Sequence, residues 1–170
     1  MSFNLKLVST SVLLASLAAC GGSDSSGGGS EPVSLTGVLE AAGLVENVHY
    51  STTSKDGTTK EGTTNAGGEF SYQPGDTITF TIGGITLGTA AISSKITPLE
   101  LVGSADLQNE TVINIAQLLQ SLDKDGDLTN GISITDTAHA NAEGITIDFS
   151  ASDFDTDSQI INLVADSGSS

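Results

Sequence analysis

Thr77-Ile78-Thr79-Phe80-Thr81-Ile82-Gly83-Gly84-Ile85-Thr86-Leu87 decides the fold class of this 170-residue chain. From Thr77 to Ile82 apolar and hydroxyl side chains alternate strictly, the period of a strand with one buried face. Ile78, Phe80 and Ile82 are predicted to point inward and the threonines outward, with β-branched residues suited to a pleated surface. Gly83-Gly84 then turns the chain into a second strand at Ile85-Thr86-Leu87.

Working upstream, Gln73-Pro74-Gly75-Asp76 is a turn with Pro placed for its fixed φ. Gly68-Glu69-Phe70-Ser71-Tyr72 leads into it, and Ser51 to Asn65 is polar, with a tight turn at Asp56-Gly57. Val45, Val48 and Tyr50 alternate in part, and Val33, Leu35 and Val38 make an opening strand. Downstream, Ile96-Thr97-Pro98-Leu99 is predicted to leave the sheet, because Pro cannot donate to a ladder. Residues 33–101 thus read as a β-rich domain.

The next segment, 102–166, reads as helical and packed on it. Asn109 is a predicted N-cap with Glu110 in the first turn, where the helix dipole favours an acid. Val112, Ile115, Ala116, Leu119 and Leu122 form one apolar stripe, widened by Ile113 and Leu118, while Asn114, Gln117, Gln120 and Ser121 form the polar side. Further on, Ile132 and Ile134 suggest a short strand. Thr135 or Asp136 caps a short helix through Ala142, with Gly144 ending it. Ile145 and Ile147 alternate into Phe149, Ser152 opens a last helix, and 167–170 is a tail. The fold class expected is α+β: a small antiparallel β-sandwich-like domain with a packed C-terminal helical segment.

One stretch suggests specific chemistry. The Asn109 helix delivers Asp123-Lys124-Asp125-Gly126-Asp127-Leu128-Thr129-Asn130-Gly131, and carboxylates at alternate loop positions can converge on a hard cation. The run resembles the first half of an EF-hand or dockerin-type loop. That resemblance implies Ca²⁺ at Asp123, Asp125 and Asp127, with the Thr129 carbonyl as a fourth ligand. Leu128 stands where that family has Gly, and Ile134 where it has a bidentate Glu, so another acid such as Asp136 has to complete the site. The competing reading is a solvated helix-to-strand turn with Asn130-Gly131 as its bend. Asp153, Asp155 and Asp157 also alternate, but acids at a helix start are favoured by the dipole without a metal. His139 has no Cys or second His near it in sequence and reads as solvated or partly packed.

The N-terminus speaks to location. Lys6, an apolar run from Leu7 to Leu17 and small residues at Ala18 and Ala19 make 1–19 a signal peptide, its run too short to span a bilayer. Leu17-Ala18-Ala19-Cys20 resembles the bacterial lipobox, which implies cleavage before Cys20 and acylation of that residue. Several acyl chains anchor a protein stably where one does not. Gly21 after Cys20, in place of the Asp that retains enteric lipoproteins at the inner membrane, points to the outer membrane. Residues 20–32, Gly/Ser-rich after the lipidated Cys, read as a flexible tether with a reach of about 20 Å. With Cys20 in the anchor, no disulfide forms within the chain.

The stretch from Thr63 to Tyr72 resembles the turn of transthyretin-like and carboxypeptidase-regulatory-like β-sandwiches. With Gly75-Asp76, Phe80, Ile82-Gly83, Leu87-Gly88, Thr97-Pro98-Leu99 and Asn114-Ile115-Ala116, it is similar to a segment of bacterial surface lipoproteins. Such a segment stands at the front of adhesins, esterases and proteins of unassigned role.

Composition narrows the function classes. Five Lys and no Arg stand against 21 acids, a net charge of -16, and loss of the leader with Lys6 leaves four Lys and -17. Such a surface repels phosphate backbones, so nucleic acid is excluded as a partner. Neither a nucleophile elbow nor a phosphate-binding glycine loop is present, and the paired acids lie in solvated runs. The expectation is a non-catalytic, lipid-anchored envelope module for adhesion, presentation or protein interaction, its partners being the membrane through Cys20 and a protein not identified by sequence. The alternatives are a calcium-dependent binding protein, or an accessory or prodomain module of an envelope hydrolase.

Overall fold

The computed structural model describes residues 33–169; the expected signal peptide, Cys20 and the expected tether lie outside them. The alternating stretch forms β6 (Thr77–Ile82), with Ile78, Phe80 and Ile82 fully buried. It pairs antiparallel with β7 (Ile85–Ala91) and with β3 (His49–Thr53), and β4 (Thr59–Thr63) flanks β3. The resulting sheet runs β4-β3-β6-β7. A second sheet places β1 (Leu35–Leu39) between antiparallel β5 (Glu69–Tyr72) and parallel β8 (Lys95–Ile96).

Aromatic contacts join the two sheets. Phe70 on β5 meets Phe80 on β6 edge-on, with ring centroids 5.5 Å apart, and Tyr50 on β3 lies 5.9 Å from Phe70. Edge-to-face rings add about 0.5–1.5 kcal/mol beyond the area they bury. The Tyr50 hydroxyl is also used, accepting the Ser71 N–H at 3.1 Å. The α+β class with a sandwich-like antiparallel core is therefore the observed one.

Turn chemistry sets the strand order. At Gln73-Pro74-Gly75-Asp76 the Asp76 N–H donates to the Gln73 carbonyl at 3.1 Å, and Gly75 has φ +89°. Pro followed by a left-handed Gly is the signature of a type II turn. Asp76 is buried with both carboxylate oxygens satisfied, one by the Ser54 hydroxyl at 2.7 Å and one by the Gln73 N–H at 2.9 Å. Upstream, the Asn65 side chain accepts from the Gly67 and Glu69 N–H groups and turns the chain into β5.

The helical segment docks on this frame. Thr97 and Glu100 form a capping box for α1 (Pro98–Val102), whose Pro sits at the first helical position. Thus Ile96, expected to leave the sheet with Pro98, is the end of β8, and the exit begins one residue later with a helix. α1 crosses β7 at Gly88, where a Cβ would stand 2.7 Å from the Leu101 carbonyl. α2 (Glu110–Ser121) starts at Asn109, whose side chain accepts from the Thr111 and Val112 N–H groups. The expected stripe is buried at Val112, Ile115, Leu119 and Leu122 and is widened by Leu118, but its other margin differs. Ile113 is 42% exposed, whereas Asn114, assigned to the polar side, is buried and donates to the Phe149 and Ala151 carbonyls.

After α2 the chain forms β9 (Ile132–Ser133), which pairs in parallel with β2 (Val45–Glu46). α3 (Asp136–Asn141) is capped by Thr135, its hydroxyl accepting the Ala138 N–H at 2.9 Å. Residues 145–148 form no strand despite the alternation of Ile145 and Ile147. The final helix, α4 (Ser158–Asp166), opens at Asp157 rather than Ser152. Between them Phe154 leads a 3₁₀ turn and stacks on Phe149 at 5.7 Å, which uses the intervening residues as a connector. Among the described residues no helix is long and apolar enough to cross a membrane.

The two faces of β6 give a direct test. Phe80→Ala removes the ring that joins the sheets and should lower unfolding free energy by about 3–5 kcal/mol. Thr77→Ala on the exposed face should change it by no more than about 0.5 kcal/mol. Denaturant midpoints at unchanged slope read both. Equal effects would mean that the sheets are not held by this contact.

Candidate functional site

The acidic loop hangs from the end of α2 and is closed across its base. Asp123 forms an isolated antiparallel bridge with Ile134, and the Lys124 N–H donates to the Ser133 carbonyl at 3.0 Å. The Asp123 side chain adds a third tie, Oδ1 accepting the Ser133 N–H at 2.8 Å. Asp123 is 2% exposed, a consequence of its following the buried Leu122 at the helix end.

Beyond the base the loop is a series of side-chain-to-backbone turns. Asp125 Oδ1 accepts the Asp127 N–H at 3.0 Å, and Oδ2 accepts the Asn130 amide at 2.9 Å. Asp127 Oδ1 accepts both the Thr129 N–H at 3.0 Å and the Thr129 hydroxyl at 2.6 Å. These are Asx turns, the local bonding that Asp and Asn favour outside helices. The Asp127 N–H, then the Asn130 amide, hold the Asp125 carboxyl below the usual carboxylate range, and Asp123 contributes in the same direction.

The four sequence-predicted ligands thus divide. Asp123 lies buried at the base and Asp125 is next to it, while Asp127 and Thr129 bond to each other at the exposed tip. Among the described residues no group of three His, Cys, Asp or Glu side chains is gathered as a metal cluster. Asp136, suggested as the completing acid, is the first residue of α3 and accepts from the Asn47 side chain at 3.0 Å. Asp157 caps α4, accepting the Gln159 N–H at 2.7 Å. Cys20 falls outside the described residues.

One polar atom does not fit a plain turn. Asp123 Oδ2 is buried and has no hydrogen-bond partner. An unpaired buried polar group costs about 1–3 kcal/mol, and more when charged.

A histidine pair went unseen in the sequence. His139 on α3 is 8% exposed, and its ring stacks on that of His49 from β3, centroids 4.3 Å apart. The Gly83 N–H donates to Nδ1 at 3.1 Å, so Nδ1 is unprotonated and Nε2 carries the hydrogen. Nε2 then donates to the Asn47 carbonyl at 2.6 Å. Asn47 itself takes the left-handed φ of +58°, and its amide donates to the Ile134 carbonyl and to Asp136. The imidazole therefore fastens the β6–β7 turn and the β2–β3 corner to α3. The residues lie about 90 positions apart, so no local pattern announces them.

Comparison with protein-family models, with curated proteins and with solved structures finds no match to this chain. The sites are read from their own geometry.

That geometry predicts an acid-sensitive fold. Burial pushes the His139 imidazole below its usual range; the Asn47 carbonyl opposes this, His49 adds to it, and Asp136 and Glu143 oppose it more weakly. The unfolded chain takes up a proton near pH 6.5 that the fold refuses. The contribution of neutral His139 is full above that pH and is lost as pH falls through the lowered folded value. In His139→Gln this limb of a stability-versus-pH curve should flatten. A limb of unchanged size would assign it to other groups.

Proposed function

We propose that the chain is a non-catalytic, lipid-anchored cell-envelope module that displays its folded unit for adhesion or protein interaction. The observation that carries this reading is Leu17-Ala18-Ala19-Cys20, where the chain's one cysteine follows an apolar leader and precedes a Gly/Ser-rich stretch. The use of two buried titratable groups, His139 and Asp76, supports the non-catalytic part. His139 spends both ring nitrogens on backbone groups, and Asp76 spends both oxygens on its turn. Groups so engaged hold the fold, whereas a general base needs a free lone pair facing a substrate. The surface is acidic, which favours solubility and cationic or neutral partners over anionic ones.

The anchor is tested by expressing the full chain in a diderm bacterium fed an alkyne-tagged fatty acid. Wild type should take up the label and partition with outer-membrane material. Cys20→Ala should carry no label and accumulate with its leader uncut. An unlabelled wild type, or a label that persists in Cys20→Ala, would remove the lipid anchor and the location inferred from it.

A further inference from the structure

Asp123 Oδ2 is the buried side-chain oxygen or nitrogen without a partner among the described residues, and the Asp123 side chain lies beside the Asp125 carboxyl. The contrast with Asp76 is informative, since that buried carboxylate has a donor on each oxygen. Asp123 has the Ser133 N–H on Oδ1 and nothing on Oδ2. Among the described residues no lysine ammonium is within ion-pair distance of either carboxylate, and the ion pair found there joins Lys95 to Glu40.

We propose that Asp123 Oδ2 and the Asp125 carboxylate are the charged ligands of a Ca²⁺ site at the base of the loop, with Asn130 as a neutral oxygen ligand. Asn130 already binds Asp125 through its amide, and a half-turn of that amide offers its oxygen instead. Asp125 and Asn130 both line a cavity of about 280 Å³ with Glu46, Lys124 and Ser133, so these two ligands are reached from solvent while Asp123 closes the site from the buried side. The ligand types select the metal. Carboxylate, amide and water oxygens suit Ca²⁺, which accepts six to eight of them in irregular geometry, whereas Mg²⁺ demands a near-octahedral set. Neither His nor Cys lies in the loop, so zinc is disfavoured. Asp127 and Thr129 stay with their own turn, and Asp136 with Asn47, so the site is not a completed EF-hand. The bound ion joins the end of α2 to β9 through Asp123. This inference does not depend on the lipid anchor.

The test is thermal unfolding of the detergent-purified full chain in EDTA, in about 1 mM Ca²⁺ and in about 1 mM Mg²⁺, with calorimetric titration of Ca²⁺ for stoichiometry. A site of micromolar affinity raises the midpoint by on the order of 10 °C at 1 mM Ca²⁺. Mg²⁺ should do far less. Asp125→Asn, read against its own midpoint in EDTA, should lose the Ca²⁺ shift and the titration signal. Asp123→Asn should lose them too, and Asp136→Asn should keep them. A wild type indifferent to Ca²⁺ overturns the proposal, as does a Ca²⁺ shift that survives in Asp125→Asn. If Asp123→Asn raises the midpoint while Ca²⁺ leaves wild type unchanged, the unpartnered oxygen is a cost to the fold and the metal site is wrong.

Discussion

The two-residue parallel pairing of β2 with β9 is the constraint on which the rest of the structure depends. The Ile132 N–H reaches the Leu44 carbonyl at 2.8 Å, and the Ile134 N–H the Glu46 carbonyl at 3.2 Å. Parallel strands need a long crossover, and here the crossover is everything from Asn47 to Gly131. So short a ribbon cannot hold by its hydrogen bonds alone, each worth about 1 kcal/mol net. What holds it is the burial of Val45, Val48, Ile132 and Ile134 in the common core. The Thr64 hydroxyl adds a brace, donating to the Val45 carbonyl and accepting the Val48 N–H. With β9 fixed, the end of α2 is tied to Ser133, and Thr135 and Asp136 start α3 beside Asn47. Both the acidic loop and the histidine stack are consequences of that one register.

Local signals were legible and distant ones were not. β6 could be read because a period of two needs only its own residues. α2 could be read because Asn109 and a 3.6-residue stripe agree. The pairing of β2 with β9 had no such signature, since two apolar residues fit a strand, a turn or a core plug equally well. Asn114 misled for a related reason. Periodicity gives the axis of a stripe, and what covers its margin is decided by another segment, here the 149–151 connection that takes its amide. At α4 four capping residues compete, Ser152, Asp153, Asp155 and Asp157. The choice among them falls to Phe154, which packs on Phe149 before any helix begins.

The acidic loop was half legible. Spacing identified Asp123, Asp125, Asp127 and Thr129 as a unit but not how the unit is shared. The fold buries the first acid because Leu122 and Ile134 on either side are core residues. It leaves the last in solvent, where Asx turns form. A hydrophobic neighbourhood therefore gives chemical weight to one carboxylate among 21 acids. That distinction lies in burial, which the spacing of acids does not encode.

Charge sharpens the point. A chain with no arginine and a net charge of -16 works against its own compaction. Where partners are visible, the fold spends polar side chains on backbone donors instead of on ion pairs: Thr97, Asn109, Thr135 and Asp157 each cap a helix. Each such cap stabilises by roughly 1 kcal/mol and, at the surface, needs no counter-charge. Asp123 follows the same economy with Oδ1, which takes a backbone N–H from β9. The pattern stops at Oδ2, which faces no donor and is sealed from water. In a molecule that satisfies its other buried carboxylate, Asp76, at both oxygens, the unpartnered oxygen of Asp123 is particular to that position and not a general looseness of the fold.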